Sequence, residues 1–157
     1  MKKILFCATL AVALVLSGCS NGVNKLPEDL REIIEEADKE LQENSKDSKE
    51  DGVEYKGVKV KDHDIIFTIR IEEKALEGHS LKELVKYIGM DSKSLKRQVR
   101  SGKMFGDTKD SKKLAKLLCD YEYNIVFRFE SGKDVEESRV DCKDLPEYKD
   151  RNRSNLK

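Results

Sequence analysis

Few residues of this chain are equipped for covalent or metal chemistry: four cysteines (Cys7, Cys19, Cys119 and Cys142) and two histidines, His63 and His79. A redox or catalytic thiol needs a nearby base or a C-x-x-C partner, and no two of these cysteines have that spacing. Asp62-His63-Asp64 brings together three residue types that ligate metals. Zinc needs ligands that converge, however, and consecutive residues in a tight turn splay apart; no second histidine lies at ligand spacing. The triplet therefore reads as a solvated hairpin loop. G-x-S-x-G, a Gly-rich phosphate loop after a strand and H-E-x-x-H are all missing from the sequence. No catalytic residue, metal or cofactor is assigned from these motifs.

The amino end is more specific. Lys2 and Lys3 give a positive start, Ile4 to Leu16 is almost wholly apolar, and Ser17-Gly18-Cys19 supplies small residues at a cut site. This is the pattern of a secretory signal peptide, residues 1–18, with an apolar run too short for a comfortable bilayer span. Leu16-Ser17-Gly18-Cys19 resembles the lipobox of bacterial lipoproteins. That resemblance covers the first 19 residues and implies a diacylglyceryl group on the Cys19 sulfur, cleavage just before Cys19 and acylation of the new terminus. The rest of the chain resembles small envelope lipoproteins only loosely, which carries no functional residue over. One acyl chain holds a protein marginally, at about 0.8 kcal/mol per buried CH₂, whereas several on one residue anchor it permanently. Ser20 rather than Asp follows the cysteine. In Gram-negative lipoproteins this resembles the outer-membrane pattern, so the expected location is the cell envelope, at the outer membrane if the cell is Gram-negative.

With Cys7 removed and Cys19 acylated, Cys119 and Cys142 remain in a compartment where disulfides persist. One bridge between them is expected, with two buried thiols as the alternative. A closed loop of this length stabilises by roughly 3 kcal/mol in the chain-entropy model.

Loss of residues 1–18 removes Lys2 and Lys3 and no acid, so the formal charge passes from +0 to a net of −2. A globally basic nucleic-acid binder is thereby disfavoured. The balance conceals two blocks: residues 28–54 hold 12 acids and 4 bases, and residues 93–116 hold 9 bases and 2 acids. The basic set is Lys93, Lys96, Arg97, Arg100, Lys103, Lys109, Lys112, Lys113 and Lys116. On adjoining helices it offers a positive surface to anionic lipid or an acidic partner, or it is simply a solvated face that the acidic block complements. No aromatic residues interleave with these cations, so no nucleic-acid stacking platform is expected.

The elements that must position these groups follow from periodicity. A short tether, 19–25, leads to one domain, 26–145, and a polar frayed tail, 146–157. Leu30, Ile33, Ile34, Ala37 and Leu41 share one face of a helix starting at Pro27 and ending near Glu43, with 44–52 as a polar linker. Val58 and Val60, then Ile65, Phe67, Ile69 and Ile71, alternate about a loop at Asp62-His63. Val60 should oppose Ile65, with Gly57 supplying a bulge that brings Val53 and Tyr55 into phase. Ser80 and Glu83 form a capping box for a helix striped by Leu81, Leu84, Val85 and Ile88. Two shorter helices follow, one after Asp91 with Leu95 and Val99 inward and stopped by Gly102, one from Thr108 to Leu118. In the last hairpin, Tyr121, Tyr123, Ile125, Phe127 and Phe129 share a face, and Gly132-Lys133 makes the turn. That register pairs Ile125 with Val140 and Tyr123 with Cys142, and makes Phe127 the expected core side chain. The predicted fold is α+β: a four-stranded, mainly antiparallel sheet of two β-hairpins, covered on one face by helices.

These readings favour a membrane-anchored, non-catalytic module that holds an envelope protein, a glycan or anionic lipid, over an envelope enzyme whose site is assembled from scattered residues. The anchor is directly testable. Mass spectrometry of membrane-fraction protein should find an acylated Cys19 terminus, and Cys19→Ala should release the protein. A variant that stays in the membrane fraction unchanged would reject the anchor.

Overall fold

A computed structural model describes residues 22–101, 104 and 108–148. The expected signal peptide, Leu16–Cys19, Gly102, Lys103, residues 105–107 and residues 149–157 lie outside the described residues. The elements are α1 (Glu28–Ser48), β1 (Val53–Lys61), β2 (Asp64–Ile71), α2 (Leu81–Tyr87), α3 (Ser92–Arg100), α4 (Lys109–Asp120), β3 (Asn124–Ser131) and β4 (Asp134–Val140). Short 3₁₀ turns lie at Val23–Lys25, Glu73–Leu76 and Cys142–Asp144. The strands form one sheet in the order β1-β2-β3-β4. Both hairpins are antiparallel, while β2 and β3 run parallel at the centre. Parallel neighbours need a crossover, and the helices α2, α3 and α4 supply it.

Both hairpins take the expected register. Val60 faces Ile65 and Val58 faces Phe67, and the pairing slips between Tyr55 and Gly57. Gly57 has φ 113, a conformation that suits glycine, and the bulge leaves Lys56 exposed. Ile125 faces Val140. One face of the sheet is apolar: Val58, Val60, Ile65, Phe67, Ile71, Ile125, Phe129 and Val140 are buried there. Leu30 and Ile34 of α1, Leu95 and Val99 of α3, and Leu117 and Leu118 of α4 complete the larger core cluster. Leu81 and Val85 of α2 pack with Ile71 and Phe129 in a second.

Phe127 is half-buried, contrary to expectation, and stacks on Phe67 with centroids 5.9 Å apart. It lies where the two clusters meet, touching both. Phe129, under α2, is the enclosed phenylalanine at 2% exposure.

The strand β3 also starts later than its alternation suggests. Tyr121 caps α4 and is exposed, and Glu122 takes φ 58, which breaks the extended run. Tyr123 does not pair with Cys142. Asn124 makes the connection instead: its Oδ1 accepts from the Cys142 amide (3.0 Å), and its Nδ2 donates to Asp64 Oδ1 (2.9 Å). Its own N–H donates to the His63 carbonyl at 2.8 Å. One buried amide thus ties the start of β2, the start of β3 and the chain just past β4.

The first helix runs to Ser48, through most of the expected polar linker. Its apolar stripe does not explain the extra turns, because Leu41 is 40% exposed. Hydrogen bonds to β1 do. Tyr55 Oη and the Val58 amide both donate to Asp38 Oδ1, at 2.6 and 3.1 Å, and the Tyr55 amide donates to Ser45 Oγ at 2.8 Å. These bonds satisfy edge-strand amides that would otherwise invite a foreign strand. Burial, then the Asp38 hydrogen bond, pushes the Tyr55 phenol far above its ordinary value, so it remains a donor.

The ends are more ordered than expected. Packing begins at Gly22 rather than at residue 26: Gly22 has φ +74, and a Cβ there would stand 2.5 Å from the Val60 carbonyl oxygen. Val23 packs on the core beside it. At the other end Leu145 is buried and Tyr148 packs against the same cluster, so the tail is anchored at least that far.

Truncation should separate the two phenylalanines. Phe129→Ala should cost about 3–5 kcal/mol in urea unfolding, and Phe127→Ala clearly less. The reverse order would contradict the packing described here.

Candidate functional site

The basic residues of α3 and α4 form two outward stripes. Leu95 and Val99 turn α3 inward, which leaves Lys93, Arg97 and Arg100 exposed at i, i+4 and i+7 on the opposite side. Burial of Ala115 and Leu118 does the same for Lys109, Lys113 and Lys116 on α4, and Lys112 is exposed beside them. Lys96 is set apart from this row, half-buried, with Nζ 3.4 Å from Asp144 Oδ2. Lys116 lies 3.8 Å from Asp120. The acidic α1 packs against α4, where Tyr121 Oη donates to Asp29 at 3.4 Å. The opposite blocks are therefore neighbours in one helical layer. Blocks of opposite sign packed side by side attract within the molecule, and the α3 stripe of Lys93, Arg97 and Arg100 lies outside that contact.

Asp62-His63-Asp64 divides as a turn should. Asp62 and His63 are exposed at the tip, and Asp64 accepts from Arg139 at 2.6 Å as well as from Asn124. Arg139 also donates to Asp141 at 2.6 Å, and these bonds, Asp141 foremost, hold its guanidinium above its ordinary pKa. A cleft of about 330 Å³ opens here, lined by His63, Lys96, Glu122, Asn124, Arg139 and Asp141 among others. Its Arg139, Asn124 and Lys96 are already committed to partners, so their bonds tie the chain ends rather than converge on a vacant point, and Lys143 is exposed at the wall.

Cys119 and Cys142 are brought together as the sequence suggested, but as two buried thiols and not as a disulfide. The helix α4 continues to Asp120, so Cys119 keeps a helical side-chain direction, and its Sγ meets the Cys142 carbonyl oxygen at 3.7 Å. Burial, followed by the charge of Glu147, pushes the Cys119 thiol up to about 12, and burial raises Cys142 as well.

A larger cleft lies at the opposite end of the sheet and was not anticipated. About 750 Å³ in volume, it is lined by Val53, Ile69, Ile71, Leu84, Ile88 and Phe129, with Glu50, Asp51, Lys74 and Glu77 also at its wall. A second lobe of about 630 Å³ shares Ala75, Glu77 and Leu84 and extends to His79, Glu83 and Tyr87. Ile88, expected in the core stripe of α2, is instead the residue that caps the helix and is 49% exposed; Tyr87 is 90% exposed. The sequence signal was present in Tyr87-Ile88-Gly89: two large apolar residues at a helix end, where the inward face has already run out.

No family model, curated protein or solved structure matches the chain. The fold is established by its own geometry as an α+β domain with a mixed four-stranded sheet. Among the described residues, no helix is long and apolar enough to cross a membrane.

The thiol environment has a measurable consequence. A group titrating near 12 leaves about one molecule in 10⁴ as thiolate at pH 8, and burial blocks access besides. Iodoacetamide should modify Cys119 in folded, reduced protein at least about a hundredfold more slowly than in urea. Equal rates would show the thiol to be exposed.

Proposed function

We propose that this protein is a lipid-anchored lipoprotein of the cell envelope that acts as a non-catalytic binding module, held at the membrane through acyl groups on Cys19. The observation that carries the reading is the position of Gly22. With Gly22 packed beneath Val60, only Ser20 and Asn21 separate Cys19 from the folded body, and the three steps from Cys19 to Gly22 reach at most about 11 Å. The anchor therefore fixes an orientation as well as a location. Val60 adjoins the Asp62-His63 tip, so the pole carrying that tip rests on the bilayer. Lys25, Lys61 and Lys143 are exposed at this pole. Near an anionic surface each lysine contributes about 1 kcal/mol.

The opposite pole, a β2 length of about 25 Å away, then faces outward. It holds the apolar cleft, and a protein or glycan partner would be met there or along the α3 stripe. Support for binding over catalysis comes from the state of the polar groups. Beside the Asp62-His63 tip, Asp64, Asn124 and Arg139 are consumed in hydrogen bonds and ion pairs, and the two thiols are buried and protonated.

Orientation provides the test. Lipidated full-length protein carrying a fluorophore at Asp62→Cys or at Lys133→Cys is placed in vesicles containing nitroxide-headgroup lipid. Quenching should be strong at position 62 and weak at 133, because the second hairpin turn lies at the far pole. Equal quenching at the two sites would overturn the reading.

A further inference from the structure

We infer that the two-lobed cleft between α2 and the far end of the sheet is a docking groove for a partner segment that combines large apolar side chains with lysine or arginine. Two independent properties meet there. The walls are apolar, with Ile69, Ile71, Leu84 and Phe129 inside and Ile88 and Tyr87 left exposed at the margin. Exposed large apolar residues beside a concave apolar wall mark a surface that gains by being covered. The margin is also acidic. Glu50, Asp51 and Glu77 have no ion-pair partner among the described residues, whereas the nearby cation, Lys74, is engaged by Glu72 at 3.0 Å. Glu77 and Glu83 carry the same sign along the second lobe.

That combination selects among occupants. Carboxylates at the margin repel anionic phospholipid headgroups and fatty-acid carboxylates, which argues against an anionic lipid. An apolar ligand without charge would leave the carboxylates unanswered, whereas a cationic apolar segment satisfies both features. Extended peptide also fits the dimensions, since the lobes join through shared residues and together accept more than one side chain. Electrostatic attraction from the margin would act mainly on the rate of encounter and on selectivity, and the apolar walls on residence. The inference is independent of the anchor and would stand if Cys19 carried no lipid.

The test uses full-length protein in uncharged phosphatidylcholine nanodiscs, with empty nanodiscs as the control. The probes are two fluorescein-labelled peptides with the same Leu-Phe-Leu centre, one flanked by lysines and one by glutamates. Anisotropy titration at low salt should show the lysine-flanked peptide binding at least about tenfold more tightly. High salt should narrow that gap. Ile88→Glu should lower its affinity about tenfold or more, and the pair Glu50→Lys with Asp51→Lys should remove the preference for lysine flanks. Tyr87→Glu, at the most exposed position, serves as the second variant if Ile88→Glu perturbs folding. Equal binding of the two peptides, or parental affinity in the folded Ile88 or Tyr87 variants, would overturn the inference. So would concentration-dependent self-association that those variants abolish, because the groove would then belong to a second copy of the chain.

Discussion

The parallel register of β2 beside β3 is the constraint on which the remaining structure depends. Ile65 stands beside Ile125 and Phe67 beside Phe127, so the apolar faces of two separate hairpins become one surface. Asn124 holds that register at its starting edge, spending its amide on Asp64 and on the chain beyond β4. A shift of one residue would turn the apolar set of one hairpin to the outer face while the other stayed inward. Parallel pairing also obliges residues 72–123 to travel the length of the sheet, and that journey brings α2, α3 and α4 over the apolar side. The loop-closure entropy of so long a crossover opposes assembly, and burial of Leu95, Val99, Leu117 and Leu118 offsets it.

The polar surface has its own order. Charges on the outer face of the sheet are paired along and across strands, as when Arg128 donates to Glu130 of its own strand and to Glu137 of β4 at 2.7 Å each. Such exposed pairs contribute little to stability, but they blunt a face that would otherwise present Ile66 and Val126 to water. The edge at β1 is closed differently, by Asp38 and Ser45 of α1. Two poles of different character remain, one where the chain enters and leaves among paired charges, the other apolar and rimmed by carboxylates.

Much of the local structure was legible in the sequence because local rules decided it. Alternation about Asp62-His63 and Gly132-Lys133 gave both hairpins, and the phase break before Gly57 disclosed the bulge. Ser80 with Glu83 and Asp91 before Leu95 marked helix starts that the caps fulfil. What escaped was decided at a distance. The length of α1 depends on β1 amides reaching Asp38 and Ser45, and no periodicity within 44–48 records it. Tyr121 and Tyr123 alternate correctly with Ile125, yet α4 retains the first and the turn at Glu122 displaces the second. The far cleft is legible least of all, since it arises from α2 being too short to cover Ile69 fully. The resemblance of Leu16–Cys19 to a lipobox is a different kind of signal, one that lies outside the described residues.

The enclosure of Cys119 and Cys142 makes their oxidation state a matter of history. With 1% and 3% of their surfaces accessible, neither sulfur offers an oxidant or an isomerase a line of approach once the chain has closed. Thiol–disulfide exchange needs a thiolate and a free path, and the folded body withholds both. Under oxidising conditions a folding chain would thus run a race between assembly and oxidation. If α4 docks first, the thiols are sealed and the molecule persists as a kinetically trapped reduced form. If oxidation came first, the bridge would be closed before the helix end covered it. Burying a reactive pair beneath a helix end thus lets the order of two events decide which form persists.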